Sequence, residues 1–169
     1  LKLQSGGPVN SSITIGNDTI NKESFNNLFS DEAISKYLAT KNVDKKDIEL
    51  LQKAVMLSKA DLMSEMVYEF TELQGLMGYY YSKIAKNDEK ISLALKEQYL
   101  PSGENSELPS SIFSSIVAMS NKIDNLMALF SVGKIPTGSK DPFALRRAAL
   151  GVVKIAIEHK LDIDFKAIF

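Results

Sequence analysis

Ile112-Phe113-Ser114-Ser115-Ile116-Val117-Ala118-Met119-Ser120-Asn121-Lys122-Ile123-Asp124-Asn125-Leu126-Met127-Ala128-Leu129-Phe130 is the stretch whose spacing decides the fold class. Ile112, Ile116, Met119, Ile123, Leu126 and Phe130 follow one another at steps of four, three, four, three and four. That spacing predicts one apolar stripe along an amphipathic helix of about five turns. Gly133 is predicted to end it. On its C-terminal side, Lys134-Ile135-Pro136-Thr137-Gly138-Ser139-Lys140 reads as a loop leading to Asp141-Pro142. Asp141 reads as an N-cap with proline at the first helical position, where the missing N–H costs nothing. The next helix carries Leu145, Ala149, Val152 and Ala156 on its apolar side.

Working toward the N-terminus, Ile91, Leu95 and Tyr99 predict a helix after Asn87-Asp88, closed by Pro101 and the polar loop 102–107. Asp44 is placed to cap a long helix in which Ile48, Leu51, Val55, Leu62, Met66 and Phe70 recur at helical steps. That helix is expected to fail near Gly75 and Gly78, since glycine is a poor helix interior. Tyr79, Tyr80 and Tyr81 follow at once. Phe25, Leu28 and Phe29, then Ile34, Tyr37 and Leu38, mark two short helices with Ser30 as a cap between them. Residues 1–20, with Gly6-Gly7-Pro8 and alternating Ile13 and Ile15, read as an irregular segment with one weak strand. Residues 21–169 form the domain: an all-α array of antiparallel helices around one core.

Composition narrows the chemistry. The chain has 169 residues, 44% hydrophobic and 24% charged, which suits one domain with a substantial core and excludes a disordered chain or a collagen-like fibre. With 20 Lys+Arg against 21 Asp+Glu, nucleic-acid contact requires a local basic patch. The absence of cysteine excludes disulfide frameworks, thiolate metal sites and a cysteine nucleophile. No run approaches eighteen apolar residues and residues 1–10 lack a signal-peptide layout, so the reading is a soluble, cytoplasmic protein without a membrane partner. A start at Leu1, and a new apolar start at Asp162-Ile163-Asp164-Phe165, read as a piece of something longer.

Two groups of residues are candidates for function. Asp61, Glu65 and Asp124 are carboxylates at or beside apolar helix positions, able to face one another across a core. A catalytic metal site needs more convergent ligands than these, usually with imidazole. The single histidine, His159, is placed to meet the C-terminal carbonyls of its own helix. One structural alternative is a polar stripe of Asp61, Glu65 and Glu69 paired with Lys or Arg or bonded to backbone donors; another turns Arg146 or Arg147 inward to pair with Asp61, Glu65, Glu69 or Asp124, Arg146 being the favoured brace. The second group is the segment 134–147, where Lys134, Lys140, Arg146 and Arg147 combine with the hydroxyls of Thr137 and Ser139 and the N–H groups of a helix start. Phosphates suit that mixture. The segment lacks the Gly-Lys-Ser/Thr order of a P-loop, and no Gly-x-Ser-x-Gly elbow supports a serine hydrolase. Tyr79, Tyr80 and Tyr81 are read as core packing with phenols at the rim, with base stacking as the alternative.

Five runs carry a family resemblance: Ser58-Lys59-Ala60-Asp61-Leu62-Met63, Glu65-Met66-Val67-Tyr68-Glu69-Phe70, Glu72-Leu73-Gln74-Gly75-Leu76-Met77-Gly78, Gln98-Tyr99-Leu100-Pro101 and Lys140-Asp141-Pro142-Phe143-Ala144-Leu145-Arg146-Arg147-Ala148-Ala149-Leu150-Gly151. With Asn121-Lys122-Ile123-Asp124 they resemble the beta-subunit family of bacterial glycyl-tRNA synthetases, over roughly residues 42–165. The resemblance implies an HD-like helical domain in a heterotetrameric ligase that joins glycine to its tRNA using ATP and magnesium. It also implies an alpha subunit, the tRNA for glycine and the other beta-subunit domains as partners. Ala60-Asp61 stands where the HD phosphohydrolases have His-Asp, and Asp124 stands at their later aspartate. With the histidine absent, Ala60, Asp61, Glu65 and Asp124 are expected to be a vestigial site, with no catalytic residue, metal or cofactor in this segment. Lys134, Thr137, Ser139, Lys140, Arg146 and Arg147 are the expected tRNA-binding residues. A metal-dependent HD-type phosphohydrolase and a purely structural subunit-assembly module are the competing readings.

Overall fold

The computed structural model describes residues 12–15, 18–21, 34, 38–39, 43–134, 136, 141–161 and 163–164. Strands β1 (Ser12–Ile15) and β2 (Asp18–Asn21) pair antiparallel, Ser12 opposite Asn21 and Ile15 opposite Asp18. The second strand was not legible from alternation, since Asp-Thr-Ile-Asn carries a single apolar residue. Among the described residues, everything regular after the hairpin is helical, the longer helices being α1 (Ile48–Leu57), α2 (Glu65–Glu69), α3 (Leu76–Ile84), α4 (Glu89–Glu97), α5 (Ile112–Ser131) and α6 (Leu145–Glu158). The all-α class therefore holds. Of the two short helices expected before residue 40, Ile34, Leu38 and Ala39 are helical and buried; Phe25, Leu28, Phe29, Ser30 and Tyr37 lie outside the described residues.

Helix α5 is the centre. Ser111 caps it by accepting from the Ser114 N–H at 3.1 Å, and Gly133 closes it at φ +71°. The Lys134 N–H reaches the Leu129 carbonyl at 2.9 Å and the Gly133 N–H reaches Phe130, a Schellman-type end that satisfies the last carbonyls. The periodicity implied one buried stripe, whereas α5 is buried almost all round from Phe113 to Ile123, because α1, α4 and α6 all pack on it. Small residues make this possible: Ser114, Ser115, Ala118 and Ser120 are each essentially without exposure. Ser120 returns its hydroxyl to the Ile116 carbonyl at 2.8 Å, so burial strands no donor. Phe130, assigned to the stripe, is 41% exposed at the far end. On α6 the buried positions are Leu145, Gly151, Val152 and Ile155, and Ala149 is exposed.

The long helix expected across residues 44–70 is broken in two. Its first half, α1, buries Leu51, Ala54 and Val55. At Lys59 the backbone turns left-handed, φ +61°, and a 3-10 turn over Ala60–Met63 leads to α2, which Ser64 caps by accepting from the Val67 N–H. The break rotates the second half off the apolar face: Leu62, Met66 and Phe70 are each more than 40% exposed. Periodicity alone misses such a break, since no proline or glycine marks it; the cause is tertiary, a hydrogen bond from the Lys59 N–H to Gln98 Oε1 at 3.0 Å. Gly75 does act as a break, at φ +81°, but Gly78 sits inside α3.

Candidate functional site

The turn after Lys59 determines what the acidic residues can do. It carries Asp61 inward to 3% exposure, where Oδ2 accepts the Gly75 N–H at 2.6 Å. Asp124, on α5, faces Lys59, whose ammonium lies 3.6 Å from Oδ2. Ala60 and Glu65 are exposed. Thus one carboxylate fastens the start of α3, the other is partnered by a cation, and the third faces water. Among the described residues no three His, Asp or Glu side chains converge as an ion would require. A catalytic magnesium does not fit this donor set. Arg146 and Arg147, expected to send one side chain inward to these acids, are both exposed, because they follow Leu145 on the flank of α6 away from its buried side. Lys59 supplies the cation instead.

If Asp61 is a scaffold residue, its needs are those of an acceptor. Asp61→Asn retains an oxygen for Gly75 and is expected to lie within about 1 kcal/mol of the parent in denaturant unfolding. Asp61→Ala leaves a buried N–H unpaired and is expected to lose about 2–3 kcal/mol. Equal losses in the two variants would contradict the scaffold role.

The basic segment also differs from its sequence reading. Helix α6 begins at Leu145, after a turn in which Ala144 is left-handed at φ +57°, so Pro142 is not in its first turn. Asp141 nevertheless caps it, accepting the Leu145 N–H at 2.8 Å and the Arg146 N–H at 3.0 Å with its two oxygens. Two of the N–H groups expected to meet a phosphate are therefore already held by a carboxylate, and an anion here must be met by side chains. Lys134, Arg146 and Arg147 are exposed to solvent. Thr137, Ser139 and Lys140 lie outside the described residues.

His159 departs from expectation as well: its Nε2 lies 2.8 Å from Ser115 Oγ on α5, not on the carbonyls of its own helix. Its position just past α6 brings the ring back over α5, where Ser115 is wholly buried and needs a partner. Of the tyrosines, Tyr79 is half-buried, edge-on to Tyr80 at 5.3 Å, with Lys83 and Lys96 ammonium groups 5.3 and 5.9 Å from its ring. Tyr80 and Tyr81 are exposed on the same helix.

A polar group inside the core escaped the sequence reading. Gln98 is 1% exposed; its Oε1 accepts both the Lys59 N–H and Asn121 Nδ2, and its Nε2 donates to Leu95. It joins the turn before Asp61 to α5. Burial, reinforced by the Asp61 charge, pushes the Tyr99 phenol up to about 12. Lys122, one turn along from Ala118 on α5, is 9% exposed, donates to the Tyr99 carbonyl at 3.0 Å and forms no ion pair among the described residues. Its desolvation lowers its pKa to about 8. The available signal was placement: Lys122 stands three residues after Met119 and four before Leu126, on the apolar side of its own helix.

Fold and site together define a helical domain whose interior acids serve its own scaffold and whose remaining cations line the surface and one cleft. The glycyl-tRNA synthetase beta subunit family matches residues 30–169. A glycine-tRNA ligase beta subunit from Helicobacter pylori is 56% identical over 133 residues, 78% of this chain and 19% of that protein. Its counterparts from Pseudomonas savastanoi and Pseudomonas aeruginosa are 52% and 53% identical over 118 and 115 residues, 70% and 68% of this chain and 17% of each protein. The chain belongs to the glycyl-tRNA synthetase beta subunit family, and it spans less than a fifth of the length of these relatives. Among the described residues no helix is long and apolar enough to cross a membrane.

Proposed function

We propose that this domain contacts the tRNA for glycine within an alpha/beta synthetase that ligates glycine to tRNA with ATP and magnesium, and that its partners are the alpha subunit, the tRNA and other beta-subunit domains. The observation carrying the reading is the exposure of Arg146 and Arg147 on the first turn of α6, together with that of Lys134, in a stretch of sequence that also contains Lys140. These side chains suit a duplex RNA backbone, which is met mostly through phosphates and 2′-hydroxyls rather than base edges. ATP and magnesium serve the ligation carried out by the whole enzyme; the contribution of this segment is to hold the RNA. The HD-like ancestry supplies the scaffold, and the Ala60-Asp61, Glu65 and Asp124 positions serve folding or solvation in place of hydrolysis.

Charge reversal at Lys134 and Lys140 in the assembled enzyme is expected to weaken tRNA binding. It is also expected to flatten the dependence of log K on log salt by about one for each phosphate that is no longer neutralised. Identical affinity and slope across a salt series would refute an RNA contact here.

A second reading is favoured by one observation. Met63, Tyr68 and Phe70 are 89%, 80% and 51% exposed around α2, more apolar surface than so short a segment needs for its own folding. Such a surface suits docking against protein. If crosslinks from the assembled enzyme map to α2 while tRNA leaves residues 134–147 unprotected, subunit assembly is the role of the domain.

A further inference from the structure

The cleft between α5 and α6 contains a combination of groups not explained by folding. It has a volume of about 340 Å³ and is lined by Lys122, Arg147, Asn125, Ser102, Tyr99 and Phe143 among others, with no acidic residue among the described residues of its wall. Lys122 stands in that wall with its stem in the core, between Pro101 and α6 where Gly151 leaves room for it. An ammonium has three donors. Its hydrogen bond in the described structure goes to the Tyr99 carbonyl, and no carboxylate balances its charge among the described residues. A buried charge without a counter-ion is costly to keep. Arg147, exposed on the neighbouring helix, likewise forms no ion pair among the described residues and brings a planar fork suited to a phosphate. Asn125 and Ser102 add neutral donors beside the two cations.

We infer that this cleft is a phosphate-binding pocket, with Lys122 in its inner wall, Arg147 at its mouth, and an RNA backbone phosphodiester as its occupant. Naming RNA as the source rests on the proposed tRNA contact; the phosphate chemistry rests on the cleft itself. A phosphate seated there supplies the charge that Lys122 lacks, and Arg147 completes the contact from solvent. The lowered pKa of Lys122 adds a consequence: from about pH 8 upward the unoccupied pocket gives up its proton, and phosphate binding holds it on.

The test uses the full-length beta subunit assembled with the alpha subunit, lightly acetylated with an amine-reactive ester, with Lys122 modification read by peptide mass spectrometry. Transfer RNA for glycine is expected to slow acetylation of Lys122 severalfold and to shift the midpoint of its pH profile upward from about 8. Arg147→Gln, a surface change, is expected to remove most of this protection, and Lys122→Met to weaken tRNA binding by about tenfold with a salt slope lower by about one. If inorganic phosphate protects Lys122 and tRNA does not, the pocket stands and its occupant is a small phosphate, which overturns the RNA assignment. If neither ligand protects it, the pocket is refuted. Weakened tRNA binding in Lys134→Glu alongside an unprotected Lys122 would refute the pocket and leave the RNA-contacting role intact. Protection of Lys122 by phosphate with normal tRNA binding in Lys134→Glu, Lys140→Glu and Arg147→Gln would do the reverse.

Discussion

Unfolding of the chain followed against pH is expected to show stability climbing from about pH 8 toward 10.5, and the climb is expected to vanish in Lys122→Met. The cause is a lysine held at about 8 when folded and 10.5 when unfolded. Between those values the unfolded chain binds the additional proton, so raising the pH favours the folded state. Below about 8 both states are protonated and the cost of the buried ammonium is fully present. The difference corresponds to a gain of up to about 3 kcal/mol across the window. Tyr99 acts in the opposite direction at higher pH. Its phenol is held up at about 12 against 10.0 unfolded, so the folded chain binds more protons between these values and stability falls. Lys83 and Lys90, whose pKa values are raised chiefly by hydrogen bonds to Glu89 and to Asp47, also favour a decline above 10.5. The sum is a crest near pH 10 in the parent, and in Lys122→Met a curve lacking its lower flank. Parallel curves for the two proteins would show that Lys122 is not desolvated in the folded chain. Together with the phosphate pocket, the same substitution separates two properties: it removes the pH-dependent cost while abolishing a binding group, the usual relation between such a group and the stability of its scaffold.

Gly75→Ala is expected to lose about 3 kcal/mol or more, combining backbone strain with overpacking. The φ of +81° is one that L side chains rarely adopt, and a methyl would lie 2.8 Å from the Lys96 carbonyl oxygen and 3.2 Å from the Tyr99 ring. A carbonyl in α4 cannot step aside as a flexible side chain could, and any shift of Gly75 also lengthens its 2.6 Å hydrogen bond to Asp61. Gly78→Ala provides the contrast. There the methyl would meet Asp61 Cγ and Leu95 Cβ at 3.6 Å each, an ordinary separation, on a helical backbone. Helix propensity favours alanine there, so that variant is expected to match or exceed the parent by about 0.5–1 kcal/mol. Denaturant midpoints at constant m-value decide both. A Gly75→Ala protein within about 1 kcal/mol of the parent would show that the α3–α4 packing yields.

The two glycines illustrate how far the sequence could be read. Composition and spacing identified both as helix-breaking, and only the approach of α4 distinguishes them. Where an element is governed by its own residues, the reading held: α5 ends at Gly133, α4 starts after Asp88, which accepts the Lys90 N–H at 2.8 Å, and Pro101 follows its close. Where a distant residue decides, it did not. The division of residues 44–70 depends on Gln98, thirty-nine positions from Lys59, and the delayed start of α6 depends on a left-handed Ala144 that no propensity favours. The candidate acids were found because carboxylates at apolar positions are conspicuous; a backbone donor for Asp61 was among the partners weighed, whereas Lys59 as the partner of Asp124 was not expected. Lys122 went unnoticed for a related reason. A lysine is ordinarily assigned to solvent, and a helix packed on three sides leaves few positions for solvent to occupy.

The bare backbone at Gly151 gives the lysine cleft an evolutionary signature. A β-carbon there would come within 2.9 Å of Lys122 Cε and 3.4 Å of the Pro101 ring, so the space beside α6 accommodates either a methyl or the extended lysine stem, not both undisturbed. Positions 122 and 151 should consequently be inherited as a pair: lineages that retain the lysine keep glycine opposite it, and those that acquire a side chain at 151 shorten or discard the amine.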